Sequence, residues 1–136
     1  MTRINCIPPK ELSDIHLQAE LREMPRINSY IIKSLKSGKS FDIPSNYTLG
    51  TGHVKFFYNK LKYITNRYTQ LQEEYFARFG KVYGKYYLMV LDTSIIPDCW
   101  FNDWNPTERD QEINRQRIHD RMYSNKRSHY TTLRRI

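Results

Sequence analysis

Apolar residues recur along this chain three and four residues apart, the spacing that lines one face of a helix. Leu17, Leu21, Met24, Ile31 and Leu35 keep it with one gap at Asn28, which predicts a helix over residues 10–37. Pro25 should kink or break that helix, because proline has no N–H to donate and its ring clashes with the preceding turn. Gly38 suits its stop. The most regular pattern is Val54, Phe57, Leu61, Ile64, Tyr68, Leu71 and Tyr75, predicting a helix over 54–79 with Thr51 as N-cap and Gly80 as terminator. Between the two, "SGKSFDIPSNYTLGTG" has the Ser, Gly, Pro and Asn content of a loop.

After Gly80 the pattern is less decisive. "KVYGKYYLMV" is aromatic and β-branched enough for a short strand, yet no partner strand is evident, so a strand and an irregular packed segment are both open. A third helix is predicted from "WNPTE", with Asn105 as N-cap, Pro106 in the first helical position and Glu108 completing a capping box, ending near Ser124. The fold class is therefore all-α, mostly helical, with three main helices and long irregular loops.

The chain has 136 residues. A chain of that size buries roughly two-thirds of its unfolded surface around a single core, so one domain over residues 1–136 is expected. No apolar run approaches the ~18 residues of a membrane span, and the first residues mix charges with prolines rather than forming a secretory core, which points to a soluble, intracellular protein. Cys6 and Cys99 are too few for a disulfide framework and are expected as reduced thiols. His119 and His129 have no partner at metal spacing, so neither a metal nor another cofactor is expected.

Charge narrows the class of partner. Lys and Arg number 22 against 14 Asp and Glu, a formal charge of +8, so polyanions and first of all nucleic acid are the natural ligands. Beyond Asp120 the chain carries Arg121, Lys126, Arg127, Arg134 and Arg135 and no acid, making residues 125–136 a basic tail that is either a solvated end or a phosphate-gripping arm. The aromatics Trp100, Phe101 and Trp104 could stack on exposed bases or fill the core.

In "HLQAELREMPR", Arg22, Glu23 and Arg26 share one edge of a helix, Glu20 is close by and His16 lies two turns before Glu23. Alone, such a set reads first as a solvated charged face with pairs three and four residues apart. Taken in order, "MTRIN", "HLQAELREMPR" and "LGTGHVKFFYNKLKY" resemble the pyrimidine-dimer DNA glycosylases, the endonuclease V type of ultraviolet repair enzyme of phages and algal viruses. The resemblance is close over the first 68 residues or so and loose beyond.

That resemblance implies a helical fold with the N-terminal segment threaded into the site and a DNA glycosylase that is also an abasic-site lyase. It implies that Met1 is removed and that the freed α-amine of Thr2 attacks C1′ of the damaged nucleotide, with Glu23 as the essential carboxylate. Arg3, His16, Arg22 and Arg26 match the family's DNA-contacting residues, as Arg117 and Arg121 do on the third helix. The implied partner is double-stranded DNA bearing pyrimidine dimers or abasic sites, bound by a monomer that flips out the base opposite the lesion.

The chemistry suits those groups. An unperturbed α-amine has a pKa of about 7.7 to 8.0 against about 10.4 for lysine, so the terminus is a ready nucleophile at neutral pH. A carboxylate beside the resulting cation can stabilise the transition state and move protons. His53 is expected to satisfy backbone groups at a helix start rather than to take part in chemistry.

Two departures from the family pattern stand out. Ile15 replaces a usually polar residue, and the tail "SNKRSHYTTLRRI" lacks a Trp-Tyr-rich ending associated with damaged-DNA binding. The alternatives are therefore a lyase preferring abasic sites or oxidised purines, and a basic DNA-binding protein without catalysis.

Overall fold

A computed structural model describes residues 4–38 and 42–124, the last three by backbone alone. Thr2, Arg3 and the basic tail 125–136 lie outside the described residues. The architecture is all-α. A 3-10 turn at Pro9–Glu11 precedes α1 (Asp14–Glu23), α2 (Arg26–Lys36), the one-turn α3 (His53–Phe56), α4 (Leu61–Phe79), a 3-10 turn at Asp98–Trp100 and α5 (Glu108–Ser124).

The predicted first helix is two helices. Ser13 caps α1, its hydroxyl accepting the His16 amide at 3.2 Å, so residues before it are left in the 3-10 turn. The Met24 amide makes the last bond of α1, to the Glu20 carbonyl at 2.9 Å. Pro25 then has no N–H to offer, and α2 restarts with Ile27 N–H on the Met24 carbonyl at 3.1 Å. Met24 and Pro25 keep right-handed helical backbone angles, so α1 and α2 follow one another without a loop.

The predicted 54–79 helix is also interrupted. Phe56, Phe57 and Tyr58 are all buried, and three consecutive side chains cannot face one core from one continuous helix. The chain turns at 57–60 and restarts as α4, with Lys60 Nζ donating to the Phe56 carbonyl at 2.9 Å. Gly52, at a φ of 86° in the left-handed region, takes the cap position expected of Thr51, while Gly80, at 71°, ends α4 with its N–H on the Phe76 carbonyl.

The segment after Gly80 forms no strand. The buried side chain of Gln72 supplies the partners a neighbouring strand would have given: its Nε2 donates to the carbonyls of Tyr83 at 2.9 Å and Tyr86 at 3.2 Å, and its Oε1 accepts the Tyr83 amide at 2.9 Å. At α5 the cap is Thr107 rather than Asn105. Its hydroxyl accepts the Asp110 amide at 3.1 Å and Asp110 accepts the Thr107 amide at 3.0 Å, a reciprocal capping box two residues further along.

Leu17 and Leu21 of α1, Met24 just after it, Ile27 and Ile31 of α2, and Leu61, Ile64 and Leu71 of α4 form the fully buried centre. An aromatic cluster extends it, in which Trp104 stacks on Tyr47 at 5.7 Å and meets Phe56, Phe57 and Tyr63 edge-on at 5.0 to 5.5 Å. Trp104 therefore packs against the core from a half-buried position, and Trp100 lies against Tyr58.

Candidate active site and nucleic-acid face

Residues 4–7 run buried between the helices, and side chains from four of them grip the backbone residue by residue. The Ile4 amide donates to His53 Nε2 at 2.9 Å, from α3. The Asn5 amide donates to Glu20 of α1 at 3.3 Å, and its carbonyl accepts the Tyr63 hydroxyl of α4 at 3.2 Å. Burial holds that phenol well above its usual range, so it is a donor. From α5, Asn114 Oδ1 accepts the Cys6 amide at 2.7 Å and Gln111 donates to the Cys6 carbonyl at 3.2 Å. Arg67 of α4 donates to the Ile7 carbonyl at 2.6 Å. A buried extended segment has no ladder of its own, so each of these backbone groups needs such a partner.

Beneath the segment lies a buried polar network. Arg67 donates through Nε and Nη2 to the two oxygens of Glu20, at 2.9 and 3.1 Å, while Asn5 Nδ2 donates to Glu20 Oε1 at 2.7 Å and Asn114 Nδ2 to Asn5 Oδ1 at 2.8 Å. Burial works against the charge on Arg67, and the Glu20 carboxylate outweighs it, holding the guanidinium above its ordinary pKa. Burial also pushes the Cys6 thiol up to about 11, so it stays a neutral thiol; Cys99 is free and exposed.

The predicted site residues that are described lie on α1 and α5, two of the helices that build this socket, and on α2. Glu23 is the last residue of α1, 17% exposed at its side chain, with Arg22 Nη2 3.4 Å from Oε2; Arg22 itself is 55% exposed. Arg26 is exposed at the first position of α2. His16 sits in the first turn of α1, its Nδ1 sharing a 2.7 Å hydrogen bond with Ser13 Oγ. Burial first, and the charge of Arg121 second, hold its pKa below the ordinary imidazole range. The start of α1 and the later turns of α5 are thus electrostatic neighbours. On α5, Arg117 and Arg121 follow Asn114 at three and seven residues, extending the side of the helix that grips Cys6.

A groove of about 770 Å³ between residues 6–10 and the polar side of α4 is lined by none of Glu23, Arg22, Arg26, His16, Arg117 or Arg121. Arg22, Arg26 and Arg121 are exposed, where they can reach phosphates, while His16, Glu23 and Arg117 are half-buried. Among the described residues, no group of three or more His, Cys, Asp or Glu is placed to hold a metal ion, and no helix is long and apolar enough to cross a membrane.

The family model for pyrimidine dimer DNA glycosylases matches residues 1–83, more than half of the chain. The chain belongs to that family. The glycosylase match spans the N-terminal segment, Glu23 and its arginines, His53 and all of α4, and it ends before α5. Its substrate class is DNA, in keeping with the charge of +8.

Sequence reasoning places Glu20 beside the charged edge of α1, whereas it points into the core of this glycosylase and anchors Arg67. Arg67, Asn5, Tyr63, Gln111 and Asn114 did not figure among the candidate residues. A signal exists for the ion pair: Glu20 interrupts Leu17, Leu21 and Met24, and Arg67 interrupts Ile64, Tyr68 and Leu71. Opposite charges on the apolar stripes of two helices can be buried only against each other. His53 satisfies backbone groups at the start of α3, as its position suggests.

Proposed function

We propose that this protein excises pyrimidine dimers from double-stranded DNA and nicks the strand, using the α-amine of Thr2 after Met1 is removed. The amine attacks C1′ of the damaged nucleotide, and the bond to the base breaks, its electron pair leaving with the base. The sugar ring opens to an iminium between Thr2 and C1′. Loss of a C2′ proton then expels the 3′ phosphate by β-elimination, and water hydrolyses the imine to release the enzyme. Glu23 stabilises the cationic transition state and carries the C2′ proton. Arg3, Arg22, Arg26, Arg117 and Arg121 bind phosphates, and His16 contributes as a neutral hydrogen-bonding ring. Flipping a nucleotide out of the stack costs a few kcal/mol, less at a damaged, poorly stacked step.

The observation that carries this reading is the grip on residues 4–7. Thr2 is two residues before Ile4, so its nitrogen lies within about 7 Å of the Ile4 amide. The segment passes Glu20, and Glu23 is about 4.5 Å further along the same helix. A segment held at residues 4–7, one helical turn from the half-buried Glu23, suits a nucleophile on the residues before it.

Borohydride reduction during turnover tests it. A covalent protein–DNA adduct is expected, mapping to the N-terminal peptide and lacking Met1 by mass. No adduct on either dimer-containing or abasic duplex overturns the mechanism.

A further inference from the structure

His53 does more than fill a buried position. Its ring is 1% exposed, it stands edge-on to Tyr47 and Phe57 with centroids 5.7 Å away in each case, and Nδ1 lies 2.8 Å from the Thr48 carbonyl. A carbonyl can only accept, so Nδ1 carries the proton, and Nε2 is left as the lone-pair acceptor for the Ile4 amide at 2.9 Å. The loop presenting the ring is equally constrained. Gly52, just before it, holds a φ of 86°, and a Cβ there would come 3.1 Å from Pro44 Cγ.

Ile4 is the first described residue, and among the described residues its amide is the held group nearest in sequence to Thr2. The next is the longer 3.3 Å bond from Asn5 to Glu20. Without the Ile4 bond, the covalent reach from the Thr2 nitrogen to the first held amide grows from at most about 7 to at most about 10 Å, which loosens the bound on the amine's position about threefold in volume. An attacking nitrogen must be held within a few tenths of an ångström of its productive position, so that freedom lowers the fraction of competent encounters.

We infer that His53 is a positioning residue for the terminal nucleophile, acting through the Ile4 amide as a neutral imidazole of fixed tautomer. This rests on the Thr2 reading above.

Glutamine can place an acceptor where Nε2 stands, whereas asparagine can keep the Nδ1 donor but cannot reach Ile4. Single-turnover excision and borohydride trapping on a dimer-containing duplex should fall about 10- to 100-fold in His53→Asn. His53→Gln should recover most of the rate, with the dissociation constant for the same duplex within about threefold of wild type in both. A His53→Asn rate within about twofold of wild type overturns the inference, as does a loss that glutamine fails to rescue while both variants melt alike.

Should His53→Asn fail to fold, the donor can be removed instead. A Thr2–Asn5 thioester carrying the hydroxy-acid analogue of Ile4 can be ligated to the chain beginning at Cys6, replacing one N–H by oxygen. An equivalent loss of rate supports the inference and an unchanged rate overturns it. Acetylating the wild-type terminus separates the two readings. If the acetylated protein still traps DNA, the nucleophile itself is wrong; if it is dead while the His53 and ester variants run at full rate, only the positioning role falls.

Discussion

Arg67 and Glu20 meet through two hydrogen bonds of 2.9 and 3.1 Å, with side-chain exposures of 3% and 0%. The pair joins α4 to α1, and through Asn5 and Ile7 it also fixes the N-terminal segment. Removing one partner leaves an uncompensated buried charge. Arg67→Met should therefore cost about 3 to 5 kcal/mol, read by urea denaturation. A loss below about 1 kcal/mol would contradict the burial of this pair. The double variant Glu20→Leu with Arg67→Met should regain part of that loss, but not all, because the Asn5 amide and the Ile7 carbonyl stay without their partners.

Glu23 should separate chemistry from binding. Glu23→Gln keeps size and hydrogen-bonding capacity while removing the negative charge, so single-turnover excision is expected to drop by at least about 100-fold. Affinity for a dimer-containing duplex should hold or improve slightly, since a repulsion with phosphate is lost. Retained excision would show that Glu23 is not the carboxylate of the reaction.

His16 gives a pH signature. Its folded pKa is held down, by burial and then by Arg121, while the unfolded ring takes a proton near pH 6.5. Between those two values the unfolded chain binds more protons, so stability falls as pH drops from about 6.5 toward the folded pKa and levels off below it. His16→Gln should flatten that slope in denaturation curves between about pH 7 and 5. Arg121→Gln should raise the His16 midpoint in an NMR titration while leaving it below the ordinary value, because burial is the larger cause. An unmoved midpoint would separate the two residues.

Much of the fold was legible because burial and periodicity agree. The α4 stripe, its end at Gly80 and the interruption at Pro25 follow from side-chain spacing and proline's missing donor. The break at 57–60 was obscured because Phe57 and Leu61 keep helical spacing through it; the adjacent aromatics Phe56, Phe57 and Tyr58 were the contrary sign. The socket was far less visible. Asn114 and Gln111 sit on a helix whose sequence is mostly polar, and they grip a residue more than a hundred positions away, so no local pattern marks them. Glu23 stands out from its neighbouring charges only through the family resemblance.

The arginines of α5 should be read through salt. Each phosphate contact contributes about 0.9 to the slope of log K against log salt, so Arg117→Gln and Arg121→Gln should each reduce the slope by about that amount on damaged and undamaged duplex alike. A slope unchanged in both variants would remove α5 from the DNA face.

The terminus makes the sharpest demand. The proposed nucleophile is a backbone amine, so the Thr2 hydroxyl has no required part, and Thr2→Ser should stay within a few-fold of wild type in excision rate. One added residue in front of Thr2 moves the amine by about 3.5 Å, as far as a whole near-attack distance, while Ile4 to Ile7 remain held by His53, Glu20, Asn114 and Arg67. The anchored segment cannot slide back to compensate without breaking those bonds. An extended protein should therefore bind damaged duplex normally, melt like wild type and lose about 100-fold or more in single-turnover excision. Equal rates for the extended and native termini would show that the nucleophile lies elsewhere, whatever the socket holds.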